Sequence, residues 1–439
     1  MGLPNPNWPE LLLCTICFLS MRYINKPVVS WPLLGMLPSL AINARCIFED
    51  LTQTLNRAPG TFYFLGPALT NHEFIVTCDL ENIKHNVKTN FSNYGKGQDF
   101  KEIFNDVFGD GIFIAESEFG LLILIRAVAI AGQAAHHGSQ VDLQDLLVRL
   151  TFDSTCTSIL GRKAGCFSPG LPVIPFSKAI DDGLEALFFR HRMPRSWALH
   201  AQYVIDYFVT EHIAIMKSEL KNMGRSGDLM SSYMSSNSSL SDTFLRDIAM
   251  NFLSAGRDTS GVALSWFFWL IFESPHTEAN ILEELRNVLH GRTRVPLEDL
   301  HRLMYLHAAL YETLRLYPPV PIHHKAAVHN DTTVKAGTII LYSIYSMARM
   351  EWIWRKDCRE FRLERWIGED GALKPGLVFK FMTFNAGPRS CLGQDMAFTL
   401  MKIAVATILA NFQVVVVEGQ NVSPKTSMIL SIKNGLKVT

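Results

Sequence analysis

The chain has little charge and no surplus of either sign. Charged residues make up 19% of its 439 residues against 48% hydrophobic ones, and Lys+Arg and Asp+Glu each number 41, so the net charge is +0. Nothing at whole-chain level offers the basic surface that a nucleic acid needs. The mean hydropathy, +0.13, is apolar for a soluble enzyme. No proline-rich or charged linker divides the chain, so one large domain is allowed although length alone would suggest two or three, and no internal repeat is visible. The eight cysteines (Cys14, Cys17, Cys46, Cys78, Cys156, Cys166, Cys358, Cys391) lack the spacing of a disulfide framework or a zinc finger. Reduced thiols in a cytosol-facing protein are therefore expected. The N-terminal apolar run, Leu11 to Met21, falls short of the roughly 20 residues that cross a bilayer. Arg22 and Lys26 follow this run instead of preceding it, which argues against a cleaved signal peptide and favours a cytosolic body.

What is present centres on Phe384 to Gly393, Phe-Asn-Ala-Gly-Pro-Arg-Ser-Cys-Leu-Gly. Gly387 and Pro388 punctuate a turn, and the apolar run Met396 to Leu409 predicts a buried helix behind it. Cys391 then sits at a helix entrance, where the unpaired N–H groups, the positive dipole end and Arg389 are expected to favour the thiolate. A thiolate there is a nucleophile or a metal ligand. No histidine base lies in the segment, and no second Cys or His stands at zinc spacing. A lone sulfur suffices when a macrocycle supplies the remaining iron ligands, as in haem.

These residues resemble the haem-binding signature of the cytochrome P-450 monooxygenases, with Phe384, Gly387, Arg389, Cys391 and Gly393 at its fixed positions. The text at Asn90 to Tyr94 and at Ala255 to Thr259 is similar to the plant subgroup that hydroxylates long-chain fatty acids and alkanes. The resemblance implies a mainly α, triangular single large domain with small β-sheets. It divides the chain into a short N-terminal membrane anchor with a proline-rich hinge, residues 1–40, and a catalytic domain, residues 41–439. It further implies haem b (iron protoporphyrin IX) on Cys391, lipid substrate and O2, an NADPH-dependent flavin reductase, no nucleic acid, and an endoplasmic reticulum membrane with the catalytic domain facing the cytosol. Lys356, Arg359 and Arg362 offer charge for the reductase. Lys325 matches a position where this branch places a basic residue near the haem propionates, a role Arg389 shares. His323 and His324 beside it read as exposed strand residues.

Within Phe244 to Phe272 the chain is apolar on every face, predicting a helix buried all round. Polar residues inside such a helix must be satisfied or functional. Ala255-Gly256-Arg257-Asp258-Thr259-Ser260 interrupts it and resembles the family's oxygen-activation motif. Small residues at Ala255 and Gly256 would let bound dioxygen approach, the Thr259 hydroxyl would hold it or a water, and Asp258 would relay protons. The bland alternative has Thr259 bonding the carbonyl one turn earlier. Glu312 and Arg315 lie three apart on one helix face; the resemblance makes them, with Arg365, buried scaffold near the haem. Leu363 replaces the family's usual proline before Arg365.

Other expectations follow from pattern. Thr61 to Leu65 and Phe74 to Thr77 form a hairpin, as do Phe412 to Val417 and Ser427 to Ile432. The serine-rich Met230 to Ser239 is a surface loop. The Phe- and Gly-rich stretch Asn90 to Glu118 and the pair Phe188-Phe189 are substrate-facing or core. Against the family pattern, the chain passes from an apolar stretch, Leu121 to Ala135 with Arg126, straight to Val141, and no Trp lies between Trp31 and Trp197. A helix carrying a propionate partner is thereby missing, with a second, smaller gap after Trp197 to His200. Two alternatives to an active monooxygenase follow: a haem-binding protein with impaired turnover, and a peroxide isomerase or lyase.

Overall fold

The computed structural model describes residues 30–31, 33–67, 73–96, 140–168, 171–188, 203, 206–215, 217, 228–236, 240–292, 295–331, 334–369, 371–374 and 379–439. The N-terminal apolar run, Phe100 to Ala135, Phe189 and Trp197 to His200 lie outside them. The chain sorts into two compact units, Met1–Gly97 with Ile322–Cys358 and Gln98–Pro321 with Arg359–Thr439.

The first unit is built on a five-stranded sheet. Its strands are β1 Thr61–Leu65, β2 Glu73–Thr77, β3 Tyr94–Gly95, β4 Ile322–Ala327 and β5 Ile339–Ser343, in the order β1-β2-β5-β4-β3. The expected hairpin forms: β1 and β2 are antiparallel, Thr61 opposite Thr77 and Leu65 opposite Glu73. β2 runs parallel to β5, which pairs antiparallel with β4. Burial alternates along β1, with Phe62 and Phe64 inward and Tyr63 outward, as the two-residue period of a half-buried strand requires. Ahead of the sheet, Trp31, Leu33, Leu34, Leu37 and Ile42 all stand exposed, Leu33 and Ile42 at 78% and 79%.

Helices make up most of the described part of the second unit: α1 Leu143–Leu160, α2 Pro175–Phe188, α3 Leu229–Ser236, α4 Asp242–Phe272, α5 Pro275–Leu289, α6 Met304–Leu316 and α7 Gln394–Asn411. α1 begins where the Asp142 carboxylate accepts from the Gln144 and Asp145 N–H groups, and ends at Gly161, whose φ of +65° no other residue adopts as cheaply. Ser241 caps α4 through Phe244 N, and Pro275 opens α5 where its missing N–H is harmless. α4 is the axis of the unit, with α1, α5, α6 and α7 packed on it. Its contact with α1 is unusually close. A Cβ on Gly256 would stand 2.5 Å from Thr155 Oγ1, and one on Gly261 2.9 Å from Val148 Cα. Thr151 Oγ1 donates across the same seam to the Arg257 carbonyl at 2.6 Å.

Two expectations fail here. Leu229–Ser236 is a helix and not a surface loop: Asp228 accepts from the Ser231 N–H and hydroxyl, both at 2.7 Å, and Leu229 and Met230 are buried. A capping acid and two buried apolar side chains outweigh the serine-rich composition. The C-terminal hairpin also has other partners. Val416 bridges Val438 and Pro424 bridges Ile432, while Lys437–Val438 pairs with Val141–Asp142. Asp142 draws that last strand in by accepting from Leu436 N and Lys437 Nζ. Among the described residues no helix is long and apolar enough to cross a membrane.

Candidate active site

The cysteine loop is shaped by two residues in the left-handed region, Asn385 (φ +62°) and Gly387 (φ +72°). Asn385 supports its own turn by accepting from Ala386 N at 2.9 Å, the local bonding that lets Asn adopt this conformation. The loop closes when Cys391 N donates to the Phe384 carbonyl at 2.7 Å, and Gly393 then starts α7 by accepting from Ala397 N. Phe384 anchors it, its ring centroid 5.5 Å from that of Phe398 on α7 and 6.1 Å from that of Phe381. The result is an exposed Cys391 at the mouth of a buried helix.

The thiol is not predisposed to ionise as expected. Crowding by the protein around the loop pushes it above its ordinary range, and the Gly393 N–H alone pulls it back. The sulfur lies two residues ahead of the helix cap, where the dipole field has weakened, and Arg389 is exposed. A bound cation must then supply the drive to deprotonate it.

Behind the loop stands a buried carboxylate cluster. Glu312 is 0% exposed, yet it accepts from Arg315 Nε (2.7 Å) and Nη2 (2.8 Å), Arg365 Nε (3.2 Å), Arg362 N (3.0 Å) and Trp366 Nε1 (2.8 Å). Those donors offset the desolvation that a buried charge incurs. The structure thus brings Glu312, Arg315 and Arg365 together despite Leu363, which is buried in a single turn of 3-10 helix, Leu363–Arg365. Sequence reasoning missed Trp366; its signal was a polar-edged ring directly after Arg365.

α4 supplies the opposite chemistry. Most of its middle is buried, but Ala255 is exposed and Asn251, Gly256 and Thr259 partly so, opening one stripe halfway along the helix. Thr259 Oγ1 donates to the Ala255 carbonyl at 2.6 Å, which leaves its lone pairs to accept. Gly256 serves packing against Thr155 on α1, so of the two small residues Ala255 carries the opening. Asp258 is buried, and burial pushes its carboxyl up to about 6 even though Arg257 pulls it down. Arg257 donates to Asp258 at 2.6 Å and reaches Asp181 on α2 and Ser177 as well. That network was not foreseen. Its signal was an arginine within an apolar helix, which demands a carboxylate elsewhere.

Lys325 belongs to the first unit, where it is buried with its ammonium 5.3 Å from the Phe91 ring centroid. His323 and His324 are not exposed strand residues as expected. Both are half-buried, and burial with Lys96 and Lys325 nearby lowers them to about 3 and about 4. Among the described residues no cluster of His, Cys, Asp and Glu could hold a metal, and all six described cysteines are free.

This donor set fits an iron porphyrin: one reachable thiol on a fixed loop, and a small-residue stripe bearing a hydroxyl on the helix packed against α7. Comparison with known proteins agrees. The family model for cytochrome P450 matches residues 128–439. The chain belongs to the cytochrome P450 family. It is 38% identical to "Cytochrome P450 86B1" of Arabidopsis thaliana, covering 98% of this chain and 89% of that one. It is 37% identical to noroxomaritidine synthase 2 of Narcissus pseudonarcissus, covering 98% and 96%, and 32% identical to the alkane hydroxylase MAH1 of A. thaliana, covering 97% and 96%. The crystal structure of the cytochrome P450DA heme domain superposes with a TM-score of 0.79 at 21% identity, over 93% of this chain and 96% of that one. The P450 fold, mainly α with small sheets, is thereby established. The alignment with P450 86B1 runs over 499 positions, more than this chain has residues, so the relative carries residues that this P450 lacks.

Proposed function

We propose that this P450 monooxygenase hydroxylates long-chain fatty acids, alkanes or related lipids, with haem b on Cys391 and electrons from an NADPH-dependent flavin reductase. The observation that carries the reading is the open Ala255 to Thr259 stripe on a closed apolar helix, in a chain related to an alkane hydroxylase. Haem held by a thiolate supplies the activation of O2 that an unactivated C–H bond requires. This chain's residues do the rest. Cys391 provides the single sulfur, Arg389 a cation for a propionate, and Phe384 with Gly387 the rigid loop that fixes the sulfur. Ala255 leaves room, Thr259 presents a hydroxyl able to accept and pass on a proton, and Asp258 is a carboxyl that burial raises above the ordinary carboxylate range, toward proton exchange. Glu312, Arg315 and Arg365 hold the loop that follows residue 359. The readings as an impaired haem protein or a peroxide isomerase are not favoured by the relatives found.

Reduced protein exposed to carbon monoxide is expected to show the red-shifted Soret band of a thiolate haem, lost in Cys391→Ser, and acid extraction of the pigment to identify haem b. With reductase and a panel of alkanes and fatty acids, mass spectrometry should find products heavier by one oxygen. A protein with an intact thiolate band and no such product from any lipid would refute the substrate class. Thr259→Ala should divert reducing equivalents to peroxide; unchanged coupling removes the residue from proton handling.

We place the protein at the endoplasmic reticulum membrane, catalytic part toward the cytosol. The apolar run Leu11 to Met21 with Arg22 and Lys26 after it supports this, as does the exposed apolar group from Trp31 to Ile42.

A further inference from the structure

Arg257 and Asp258 are the only charged residues between Phe252 and Phe272. The guanidinium serves two carboxylates at once. Nη1 lies 2.8 Å from Asp181 Oδ1 and 2.6 Å from Asp258 Oδ1, while Nη2 donates to Asp181 Oδ2 at 3.0 Å and to Ser177 Oγ at 2.7 Å. The three side chains form a graded series: Asp181 is 59% exposed, Asp258 8% and Arg257 3%. Asp258 Oδ2 and Arg257 Nε are buried and have no hydrogen-bond partner among the described residues. One positive charge therefore faces two negative ones, and the buried acid is the less well solvated of the pair.

We infer that Asp181 on α2 is a positioning residue for the oxygen chemistry: by competing with Asp258 for Arg257, it sets how readily the buried carboxyl next to Thr259 takes up and releases a proton. This rests on the monooxygenase reading above. With the guanidinium wholly its own, Asp258 would be locked as a carboxylate and serve poorly as a donor. Without the guanidinium it would stay protonated and serve poorly as an acceptor. Sharing keeps it between those limits: burial and the Asp181 charge raise the carboxyl while Arg257 lowers it. A bidentate grip on the exposed Asp181 also ties the exchange to the position of α2, since any displacement of that helix returns the arginine to Asp258.

The surrounding charges do not supply this function. On α1 and just beyond it, Cys156 and Cys166 feel the Arg257 charge, and both thiols are pushed upward by burial and by Asp153. On α2, Lys178 pairs with Asp182 at 2.9 Å. Among the described residues Arg257 and Asp181 are the groups that act on the Asp258 carboxyl, and α5, α6 and α7 contribute none.

The test is a pH titration of the holoenzyme followed by infrared difference spectroscopy of the protonated carboxyl band, assigned by its loss in Asp258→Asn. It is run beside the pH profile of coupling, product formed per reducing equivalent consumed. Asp181→Asn should move the carboxyl midpoint down by about one pH unit, a tenfold change, and Arg257→Gln should move it up by at least as much. Arg257→Lys and Asp181→Glu should stay near the wild type. Opposite displacements by two variants of one ion pair are not what a structural role produces. A midpoint unmoved in folded Asp181→Asn overturns the inference, as do shifts of the same sign in both variants. Should Arg257→Gln not fold, Asp181→Asn against Asp181→Glu decides alone. The titration needs no substrate, so the two readings fail separately. Expected shifts without lipid product sink the lipid reading and leave the charge competition standing, while hydroxylation with an unmoved midpoint sinks the competition alone.

Discussion

Glu312 shows how much one buried atom group can organise. Two arginines, a tryptophan N–H and a backbone N–H converge on a carboxylate with no exposure, and removing its charge takes from Arg315 and Arg365 the carboxylate that both of them face. Glu312→Gln is expected to cost about 3–5 kcal/mol in urea unfolding. A loss under 1 kcal/mol would show that the cluster is not what holds this part of the fold. His307 makes a second residue-scale prediction. It is half-buried on α6 between the rings of Tyr311 and Phe398, its Nε2 has no hydrogen-bond partner among the described residues, and burial with nearby Lys402 lowers it from 6.5 to about 3. The unfolded chain thus binds the extra proton between these values. Stability should be full above pH 6.5 and decline as pH falls toward 3. His307→Phe should flatten that decline in thermal melts across the window.

Elements meet through the α1 to α4 seam. An alanine at Gly256 would gain about 1 kcal/mol in helix propensity. Its methyl, however, would press on Thr155, whose hydroxyl is held 2.7 Å from the Thr151 carbonyl and whose side chain is buried. Overpacking of this kind typically costs about 1–3 kcal/mol, so Gly256→Ala should be net destabilising. In a Thr155→Ala background, where the two nearest atoms are gone and only the Cβ at 3.3 Å remains, the same substitution should cost much less or become neutral. A double-mutant cycle measures the coupling, and strict additivity would refute the steric account. The seam also explains why the sequence alone misdirected attention. Two small residues, Ala255 and Gly256, in a stretch resembling an oxygen-activation motif invite a reading toward the ligand, whereas a Cβ on Gly256 would meet a threonine on a helix a hundred residues earlier.

For the molecule as a whole, the exposed Trp31, Leu33, Leu34, Leu37 and Ile42 gather within a dozen residues. Full-length protein is expected to float with lipid vesicles. Leu33→Glu with Ile42→Glu should reduce that partition several-fold, because each buries a charge at the interface in place of an apolar side chain worth about 1.5–3 kcal/mol on burial. Unaltered flotation would leave any membrane contact to the preceding segment.

Much of this was readable in advance where chemistry is local. The Cys391 signature, the apolar helix α4, the Glu312 and Arg315 pair on α6 and the β1 to β2 hairpin each depend on residues a few positions apart, and turn geometry and periodicity act at that range. Pairings between distant segments were decided only in three dimensions. Trp366 on Glu312, Asp181 on Arg257, Lys437–Val438 against Val141–Asp142, and the buried helix at Leu229–Ser236 all depend on what burial places opposite what. The same holds for titration: the Cys391 thiol rises where its neighbours in sequence suggested it would fall, because desolvation is set by the whole surrounding protein and not by the adjacent helix end. Sequence alone thus determined the family and named the candidate thiol and hydroxyl, since short motifs carry both. Only the tertiary structure decided which charges share a partner, because the energy of a buried charge depends on atoms that the chain brings together from far apart.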